Sequence, residues 1–220
     1  MATAPDRVEA VTVAVLAKAP LAGQAKTRLE PALGQAGAAR AHRQLVLRTL
    51  QTVAQAGLPV RLWCAPTSDQ RFFRALARAH GLALATQPEG DVGVRMHAAF
   101  VDHARCSAAP LLLIGTDCPA FDAAHLREAA RRLLAGDEAV FTPAEDGGYV
   151  LVGLRQPMAG LFEAVSWSSS QVMNQTRGHL QRLGLRWSEM PTLWDVDRPA
   201  DWQRWQALQA QKGCGLPAPS

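Results

Sequence analysis

Short apolar segments alternate with amphipathic ones along the first ninety residues of the chain. Runs rich in aliphatic and β-branched side chains predict buried strands at residues 11–17, 60–64 and 82–86. Apolar periodicity ended by a glycine predicts helices at 36–56 and 69–80 between them. Parallel strands joined by helices have both sheet faces covered, so they are apolar throughout rather than alternating. The pattern therefore predicts an α/β fold.

The second half of the chain continues this alternation with one change. Helices are predicted at 94–105, 122–134, 169–183 and 199–211, and strands at 111–114, 139–142, 149–154 and 185–190. The link 144–148 between two of these strands is too short to hold a crossover helix, so that strand pair is predicted to be antiparallel. We therefore expect a mixed, mostly parallel sheet flanked by helices.

Length and composition limit the classes of protein to consider. A chain of 220 residues that is 48% hydrophobic is expected to form one domain over residues 1–212, followed by a flexible tail at 213–220. No apolar run approaches membrane-spanning length and no secretory signal is apparent, so we expect a cytoplasmic protein with no membrane span. Four scattered cysteines argue against a zinc site or a disulfide framework.

The net charge of +4 is concentrated at one end of the chain. Residues 1–50 carry seven basic and three acidic side chains, which accounts for the whole excess, and the rest of the chain is balanced. Only 6% of the residues are aromatic, whereas a nucleic-acid groove interleaves basic and aromatic side chains. We therefore expect a small anionic ligand and no nucleic-acid partner.

The loop after the first strand has the composition of a phosphate site. Glycine permits close backbone approach, and basic side chains supply charge at the carboxyl end of a strand. The loop holds two of only three lysines in the chain, although it matches neither a Walker A motif nor a dinucleotide fingerprint. An exposed basic loop without a ligand is the alternative. The predicted nucleotide-binding residues here are Ala17, Lys18, Pro20, Gly23, Lys26, Thr27 and Arg28.

Acidic residues at two places are candidate metal ligands. Asp117 follows the strand 111–114, where a carboxylate beside diphosphate oxygens would hold Mg²⁺ or Mn²⁺, and its neighbour Thr116 is predicted to bind the nucleotide. Capping of the following helix is the alternative role for Asp117, but Asp122 is better placed to cap that helix. Asp195 and Asp197 could complete the metal site, with capping of the last helix by Asp197 as the alternative.

Three further segments carry candidate site residues. The link between the antiparallel strands offers Glu145 or Asp146 as a base or hydroxyl acceptor, although turn formation explains the segment equally well. Arg95 is predicted to bind the nucleotide by projecting from the first turn of a helix toward the crevice at the carboxyl ends of the strands, with an ordinary surface arginine as the alternative. The predicted substrate-binding residues are Gly147, Gly148, Tyr149, Trp167, Ser168 and Ser169, with helix capping as an alternative for the serines.

Other residues are assigned structural roles. The six histidines show no ligand spacing and are expected to be surface or half-buried residues. Four of the six tryptophans, Trp187, Trp194, Trp202 and Trp205, lie close to the C-terminus within residues 187–205. They form either an aromatic contact surface, which leaves homo-oligomerisation open, or part of the core.

Taken together, these motifs resemble an uncharacterised bacterial GT-A-like glycosyltransferase family of the nucleotide-diphospho-sugar transferase superfamily. Some members of that family are described as arsenosugar-biosynthesis glycosyltransferases. The chain is more distantly similar to molybdenum-cofactor and phospholactate guanylyltransferases. The resemblance spans about residues 11–202 and rests on the motifs KxPxxGxxKTRL, GDxGxRM, GxDxP, DGGY, WS and DVDxP.

The resemblance implies a single-domain GT-A-like fold and roles for individual residues. It implies that the loop from Ala17 to Arg28 holds the nucleotide and that Asp117 binds the metal. Within the late acidic segment it favours Asp197 as the second ligand. Two residues depart from the family pattern: Ser169 and Arg198 stand where relatives tend to have threonine. Ser169 keeps a hydroxyl, whereas Arg198 adds a charge beside the acidic pair.

The expected function is a metal-dependent transferase that uses a nucleotide-activated donor. Glycosyl transfer from a nucleotide-diphosphate sugar to a small-molecule acceptor leads. The alternative is nucleotidyl transfer from a nucleoside triphosphate to a small phosphorylated substrate, which the two lysines and the arginine of the loop would suit. A catalytically silent nucleotide-binding module is the second alternative.

Overall fold

The computed structural model describes residues 10–213, and within that range seven strands and six α-helices alternate. The strands are β1 Thr12–Lys18, β2 Val60–Ala65, β3 Ala83–Thr86, β4 Leu111–Ile114, β5 Ala139–Pro143, β6 Tyr149–Leu154 and β7 Trp187–Glu189. The helices are α1 Glu30–Ala56, α2 Arg71–His80, α3 Val92–Cys106, α4 Ala123–Ala135, α5 Val172–Arg182 and α6 Pro199–Gly213. Of the predicted tail, residues 214–220 lie outside the described residues.

The seven strands form one mixed sheet in the order β3-β2-β1-β4-β6-β5-β7. Strand β1 pairs in parallel with both β2 and β4, and β2 pairs in parallel with β3. Strand β6 is antiparallel to β4 and to β5, whereas β7 returns parallel to β5. The predicted α/β class, the mixed sheet and the antiparallel β5–β6 pair are confirmed.

Hydrophobic cores cover both faces of the sheet, as the continuous apolar strands predict. Alternate residues of β1 point to opposite faces of the sheet. Val13 and Val15 lie in one hydrophobic core with side chains of α1 and α4. Ala14 lies in the other core with side chains of α3 and α5. All three are buried. Burial on both faces fixes the register of β1, because a slip of one residue would exchange the two sets.

A third cluster seats α6 against α1. Trp194, Trp202 and Trp205 are buried there with Leu29 and Leu45. The structure thus assigns these tryptophans to the core rather than to a contact surface. Homo-oligomerisation stays a prediction.

Helix α1 begins earlier than predicted. Its first turn starts at Glu30, with Pro31 at a position where a missing N–H costs nothing, and Gly34 interrupts it with φ 67° and ψ 168°. The prediction missed this first turn because it holds a proline and a glycine, which the apolar periodicity does not count as helical. No helix within residues 10–213 is long and apolar enough to cross a membrane, and cytoplasmic location stays a prediction.

We expect Gly153→Ala to destabilise the fold by about 1–3 kcal/mol through overpacking. A Cβ at Gly153 in β6 would lie 2.6 Å from Leu112 Cδ2 and 2.9 Å from Leu133 Cδ1. The matched control is Gly178→Ala in α5, where nothing lies within 4 Å of the added Cβ. That change should raise stability by up to about 1 kcal/mol through helix propensity. Urea unfolding followed by circular dichroism measures both, and equal stability of the two variants would contradict the packing described.

Candidate functional site

The candidate site lies where β1 and β4 end side by side. Because these strands are parallel neighbours, their carboxyl ends meet at one edge of the sheet. Strand β1 leads into the basic loop, and β4 leads into the turn that contains Asp117. The segment before α6 crosses this edge, where the Val196 N–H donates to the Asp117 carbonyl at 2.7 Å. The structure therefore brings together three segments that the sequence analysis singled out separately.

An ion pair between Lys26 and Asp117 joins these segments. Lys26 Nζ lies 2.9 Å from Asp117 Oδ2 and also donates to the Val196 carbonyl. The Lys26 side chain is only 7% exposed, and its backbone is left-handed at φ 54°. A buried ammonium with two acceptors is held in one place, so Lys26 is a fixed part of the site rather than a mobile surface cation.

His42 of α1 is a site residue that the sequence analysis missed. Its ring is buried, with Nε2 2.9 Å from the Lys18 carbonyl and Nδ1 3.9 Å from Asp117 Oδ1. A carbonyl oxygen only accepts, so Nε2 carries the proton. Burial lowers the pKa of His42, partly opposed by the charge of Asp117. One signal was available: His42 shares the apolar face of α1 with Ala38 and Leu45.

The carboxylates of Asp117 and Asp195 differ in their surroundings. Loss of hydration would raise the pKa of Asp117, but the charges of Lys26 and His42 outweigh it and lower the pKa. Burial, followed by repulsion from Asp146 and Asp117, raises the pKa of Asp195 to about 6. The repulsion indicates that Asp117, Asp146 and Asp195 concentrate negative charge at one place, with Lys26 as the nearby cation that offsets it.

The carboxylates of Asp117 and Asp195 fit a metal ion that takes some of its ligands from a substrate. Among residues 10–213, no three His, Cys, Asp or Glu side chains come close enough to hold a metal ion by themselves. Magnesium in phosphate sites commonly uses one or two carboxylates and completes its shell with phosphate oxygens and water. Asp117 and Asp195 meet that requirement.

Asp197 faces a different partner. Its carboxylate accepts from the exposed guanidinium of Arg28. In the hydrogen bonds described, the Asp197 carboxylate accepts from Arg28 and from no backbone N–H of the last helix. Asp201 Oδ2 accepts the backbone N–H groups of Asp197 and Arg198, at 3.1 and 2.7 Å. The resemblance favoured Asp197 as the second metal ligand, and that role stays a prediction. In the structure Asp197 forms an ion pair with Arg28, and Asp195 lines a cavity together with Asp117.

A cavity of about 220 Å³ adjoins the two carboxylates. Apolar side chains from β1, α3, β4 and β6 supply most of its wall, and its acidic members are Asp117 and Asp195. The lining consists of Leu16, Val92, Met96, Leu113, Gly115, Asp117, Cys118, Tyr149, Val150, Val152 and Asp195. An apolar pocket with a few polar groups at one side is the usual form of a small-molecule site.

Two predicted substrate-binding residues build the surroundings of this cavity. The Tyr149 hydroxyl lies 3.9 Å from Met96 Sδ, and burial raises the pKa of Tyr149. The Trp167 ring packs edge-on to Tyr149, with 6.4 Å between ring centroids. It also lies so close to Gly93 that a Cβ there would be 2.6 Å from the ring. Gly93, the second glycine of the GDxGxRM motif, therefore leaves the space that the Trp167 ring occupies.

The two predicted catalytic carboxylates are adjacent in the β5–β6 turn but have different surroundings. Glu145 forms a two-point ion pair with Arg204 at 2.8 and 3.1 Å, which lowers the pKa of Glu145. Asp146 accepts only the Gly148 N–H, at 2.9 Å, in the hydrogen bonds described, and it is exposed. Gly147 has φ 89° and packs against the Ser170 carbonyl, so a side chain there would clash. Turn formation and a catalytic role of Asp146 are thus compatible.

The remaining predicted residues divide into two groups. Four of them make hydrogen bonds within the protein. The Ala17 carbonyl accepts from Gln87 Nε2 at 3.1 Å, and the Thr116 hydroxyl lies 3.5 Å from Asp117 Oδ1. Arg95 donates to the Gly90 carbonyl at 3.1 Å, and Ser169 donates to the Ser166 carbonyl at 2.7 Å. Those with accessible surface are Lys18, Gly23, Thr27, Ser168 and the half-buried Pro20. Gln87 was not predicted; it also donates to the Trp63 carbonyl at 2.8 Å and so ties the ends of β1 and β2.

Comparison with known proteins identifies the family. Residues 47–169, more than half of the chain, match the family described as "Uncharacterized protein conserved in bacteria (DUF2064)". The chain belongs to this family. The matched residues include Asp117 and the β5–β6 turn, whereas the basic loop and the Asp195–Asp197 segment lie outside them. No curated protein sequence matches the chain.

Solved structures with the same fold include a transferase and two nucleotide-sugar or nucleotide synthases. A protein from Desulfovibrio desulfuricans assigned as a nucleotide-diphospho-sugar transferase is 26% identical, with a TM-score of 0.79 over 86% of this chain and 83% of that one. CMP:2-keto-3-deoxy-manno-octonic acid synthetase is 14% identical, with a TM-score of 0.59 over 92% and 99% of the chains. The 4-diphosphocytidyl-2C-methyl-D-erythritol synthase of Anaerococcus prevotii is 10% identical, with a TM-score of 0.61 over 92% and 99%. The predicted fold is confirmed, and the comparisons place the chain among the transferases of this fold.

A double-mutant cycle tests whether the Lys26–Asp117 pair holds the site together. We expect Lys26→Met and Asp117→Ala to show a coupling energy of about 1–2 kcal/mol in urea unfolding, since one partner is buried. The matched control is the exposed Glu145–Arg204 pair, for which Glu145→Ala and Arg204→Met should couple by less than about 1 kcal/mol. A Lys26–Asp117 coupling no larger than that of the control would show that the pair is incidental.

Proposed function

We propose that this member of the family is a transferase that binds a nucleotide-activated donor in the crevice at the carboxyl ends of β1 and β4, beside the basic loop and Asp117. We further propose that it transfers a glycosyl group from a nucleotide-diphosphate sugar. The observation that carries the proposal is the arrangement at the ends of β1 and β4. There Asp117 and Asp195 border an apolar cavity of about 220 Å³, and the basic loop lies beside them. This arrangement supplies a place for phosphates next to a place for the transferred group.

The charges of the loop suit a diphosphate donor. Lys26 is paired with Asp117 and Arg28 with Asp197, whereas the exposed Lys18 has no carboxylate partner among the described residues. The net charge of these five side chains is therefore +1, and the carboxylates of Asp146 and Asp195 beside them lower it further. The free positive charge is smaller than the count of loop residues indicated, which weakens the case for a triphosphate.

Each group has a place in the proposed transfer. A divalent cation, Mg²⁺ or Mn²⁺, held by Asp117 and Asp195 would neutralise charge on the leaving diphosphate. Lys18 and the backbone around Gly23 would contact the phosphates, and the wall formed by Met96 and Tyr149 would exclude water from the transferred group. Asp146 would orient an acceptor hydroxyl or accept its proton, because Glu145 is engaged by Arg204.

Nucleotidyl transfer is the second candidate. The observation in its favour is the common fold with two cytidine-nucleotide-forming enzymes over nearly the whole length of each chain. In that reaction a substrate phosphate would attack the α-phosphorus of a nucleoside triphosphate, and the basic side chains of the loop would stabilise the departing pyrophosphate. The products distinguish the reactions: free nucleoside diphosphate from a sugar donor indicates glycosyl transfer, and inorganic pyrophosphate indicates nucleotidyl transfer.

Ligand-induced thermal stabilisation tests the proposed donor. At a hundredfold excess over Kd, a nucleotide sugar with Mn²⁺ should raise the Tm by about 5–10 °C, because a ligand that binds only the native state stabilises it. We expect the Mn²⁺-dependent part of this shift to disappear in Asp117→Asn and in Asp195→Asn. The measurement is a melting curve for each variant with nucleotide sugars, nucleoside diphosphates and nucleoside triphosphates, each with and without the metal.

The matched control for these variants is Glu128→Gln. Glu128 pairs with Arg131 and Arg132 on α4, away from the crevice, so this change removes the same charge without touching the site. A full shift should remain in the control. Stabilisation by triphosphates alone would support nucleotidyl transfer. No shift with any nucleotide would contradict both proposed reactions and leave a donor of another class. A shift with no turnover of any donor would support a catalytically silent nucleotide-binding module.

A further inference from the structure

Lys26 occupies an oxygen of the carboxylate that is proposed to bind the cation. Its ammonium lies 2.9 Å from Asp117 Oδ2 and also donates to the carbonyl of Val196, the residue after Asp195. An ammonium has three N–H donors, so these two contacts leave one free. Lys26 therefore contacts the site as a counter-ion, and it keeps one donor for a further acceptor.

The backbone of the loop holds Lys26 in this position. Its neighbours Ala25 and Leu29 are buried, and the Lys26 carbonyl accepts from the Leu29 N–H at 2.8 Å. The backbone of Lys26 lies in the left-handed region, which residues other than glycine adopt uncommonly and at some cost in free energy. The loop is thus built to direct one long cationic side chain toward Asp117.

An ammonium and a divalent cation compete for the same carboxylate oxygen. Like charges at contact distance repel strongly at a partly buried site, so Lys26 must leave Asp117 Oδ2 before a cation can use that oxygen. Phosphate oxygens beside the loop are alternative acceptors for the Lys26 ammonium. A donor that supplies them would release Asp117 for the cation and would add ligands to the cation as well.

We propose that Lys26 is the resident counter-ion of Asp117 and makes binding of a divalent cation conditional on the phosphates of the donor. This inference rests on the proposed function, since it concerns the same metal and donor. The consequence is that the free protein binds the cation weakly, whereas the protein with bound donor binds it tightly. The coupling is reciprocal, so the cation must strengthen donor binding by the same factor as the donor strengthens cation binding.

Titration calorimetry of the full chain with MnCl₂, with and without a nucleoside diphosphate, tests the inference. In the absence of nucleotide, Lys26→Met should bind Mn²⁺ about tenfold more tightly than the unaltered protein. In its presence, the gain in Mn²⁺ affinity should be smaller for Lys26→Met than for the unaltered protein. Adding Asp117→Asn to Lys26→Met should abolish the tighter Mn²⁺ binding, which would locate the effect at this carboxylate.

Two further variants control for charge and for folding. Arg40→Met removes the same charge from an exposed position on α1 and should leave Mn²⁺ affinity unchanged. Lys26→Gln keeps a donor for the Val196 carbonyl without the charge, and it should reproduce the tighter Mn²⁺ binding if Lys26→Met unfolds.

The outcomes separate the inference from the proposed function. Mn²⁺ affinity of both Lys26 variants equal to that of Arg40→Met would overturn the counter-ion role, even if donor and cation still bind together. Failure of every variant to bind Mn²⁺, with or without nucleotide, would overturn the metal site and the inference with it. Tight Mn²⁺ binding by the unaltered protein without nucleotide would overturn the inference alone.

Discussion

The contact of Lys26 with Asp117 is the interaction on which the candidate site depends. It joins the loop after β1 to the turn after β4, and the second bond of Lys26, to the Val196 carbonyl, adds the segment before α6. The Val196 N–H completes this link by donating to the Asp117 backbone. The buried ammonium of Lys26 thus fixes the relative positions of three segments that are distant in sequence. It also offsets the negative charge of Asp117, Asp146 and Asp195, so that these carboxylates can lie close together.

The sheet makes this contact available, and polar side chains from other elements preserve it. Strands β1 and β4 are parallel neighbours, so the loop and Asp117 emerge at the same edge. His42 reaches the same place from α1 and contacts the Lys18 carbonyl, while Gln87 secures the ends of β1 and β2. The site is therefore held by the rigid parts of the fold, and the exposed side chains of Lys18 and Asp146 remain accessible to ligands.

The sequence predicted the elements of the fold well and the pairings of the site poorly. Apolar runs and a link of five residues sufficed for the mixed sheet, and the expected cap of α4 is present, with Asp122 accepting the His125 N–H at 2.7 Å. Local patterns also indicated which segments carry chemistry. They did not reveal that Lys26 meets Asp117, or that Glu145 meets Arg204, because those pairings depend on how distant segments are oriented in space. His42 was overlooked for the same reason: its partners lie in other elements.

Crystals grown with MnCl₂ and a nucleoside diphosphate would test the central claim most directly. Anomalous scattering recorded at the manganese absorption edge locates the metal without reference to its ligands. The proposed site predicts one peak beside the carboxylates of Asp117 and Asp195 and near the nucleotide phosphates, with the Lys26 ammonium moved from Asp117 to a phosphate oxygen. A nucleotide bound away from the loop, or a metal held by other residues, would contradict it.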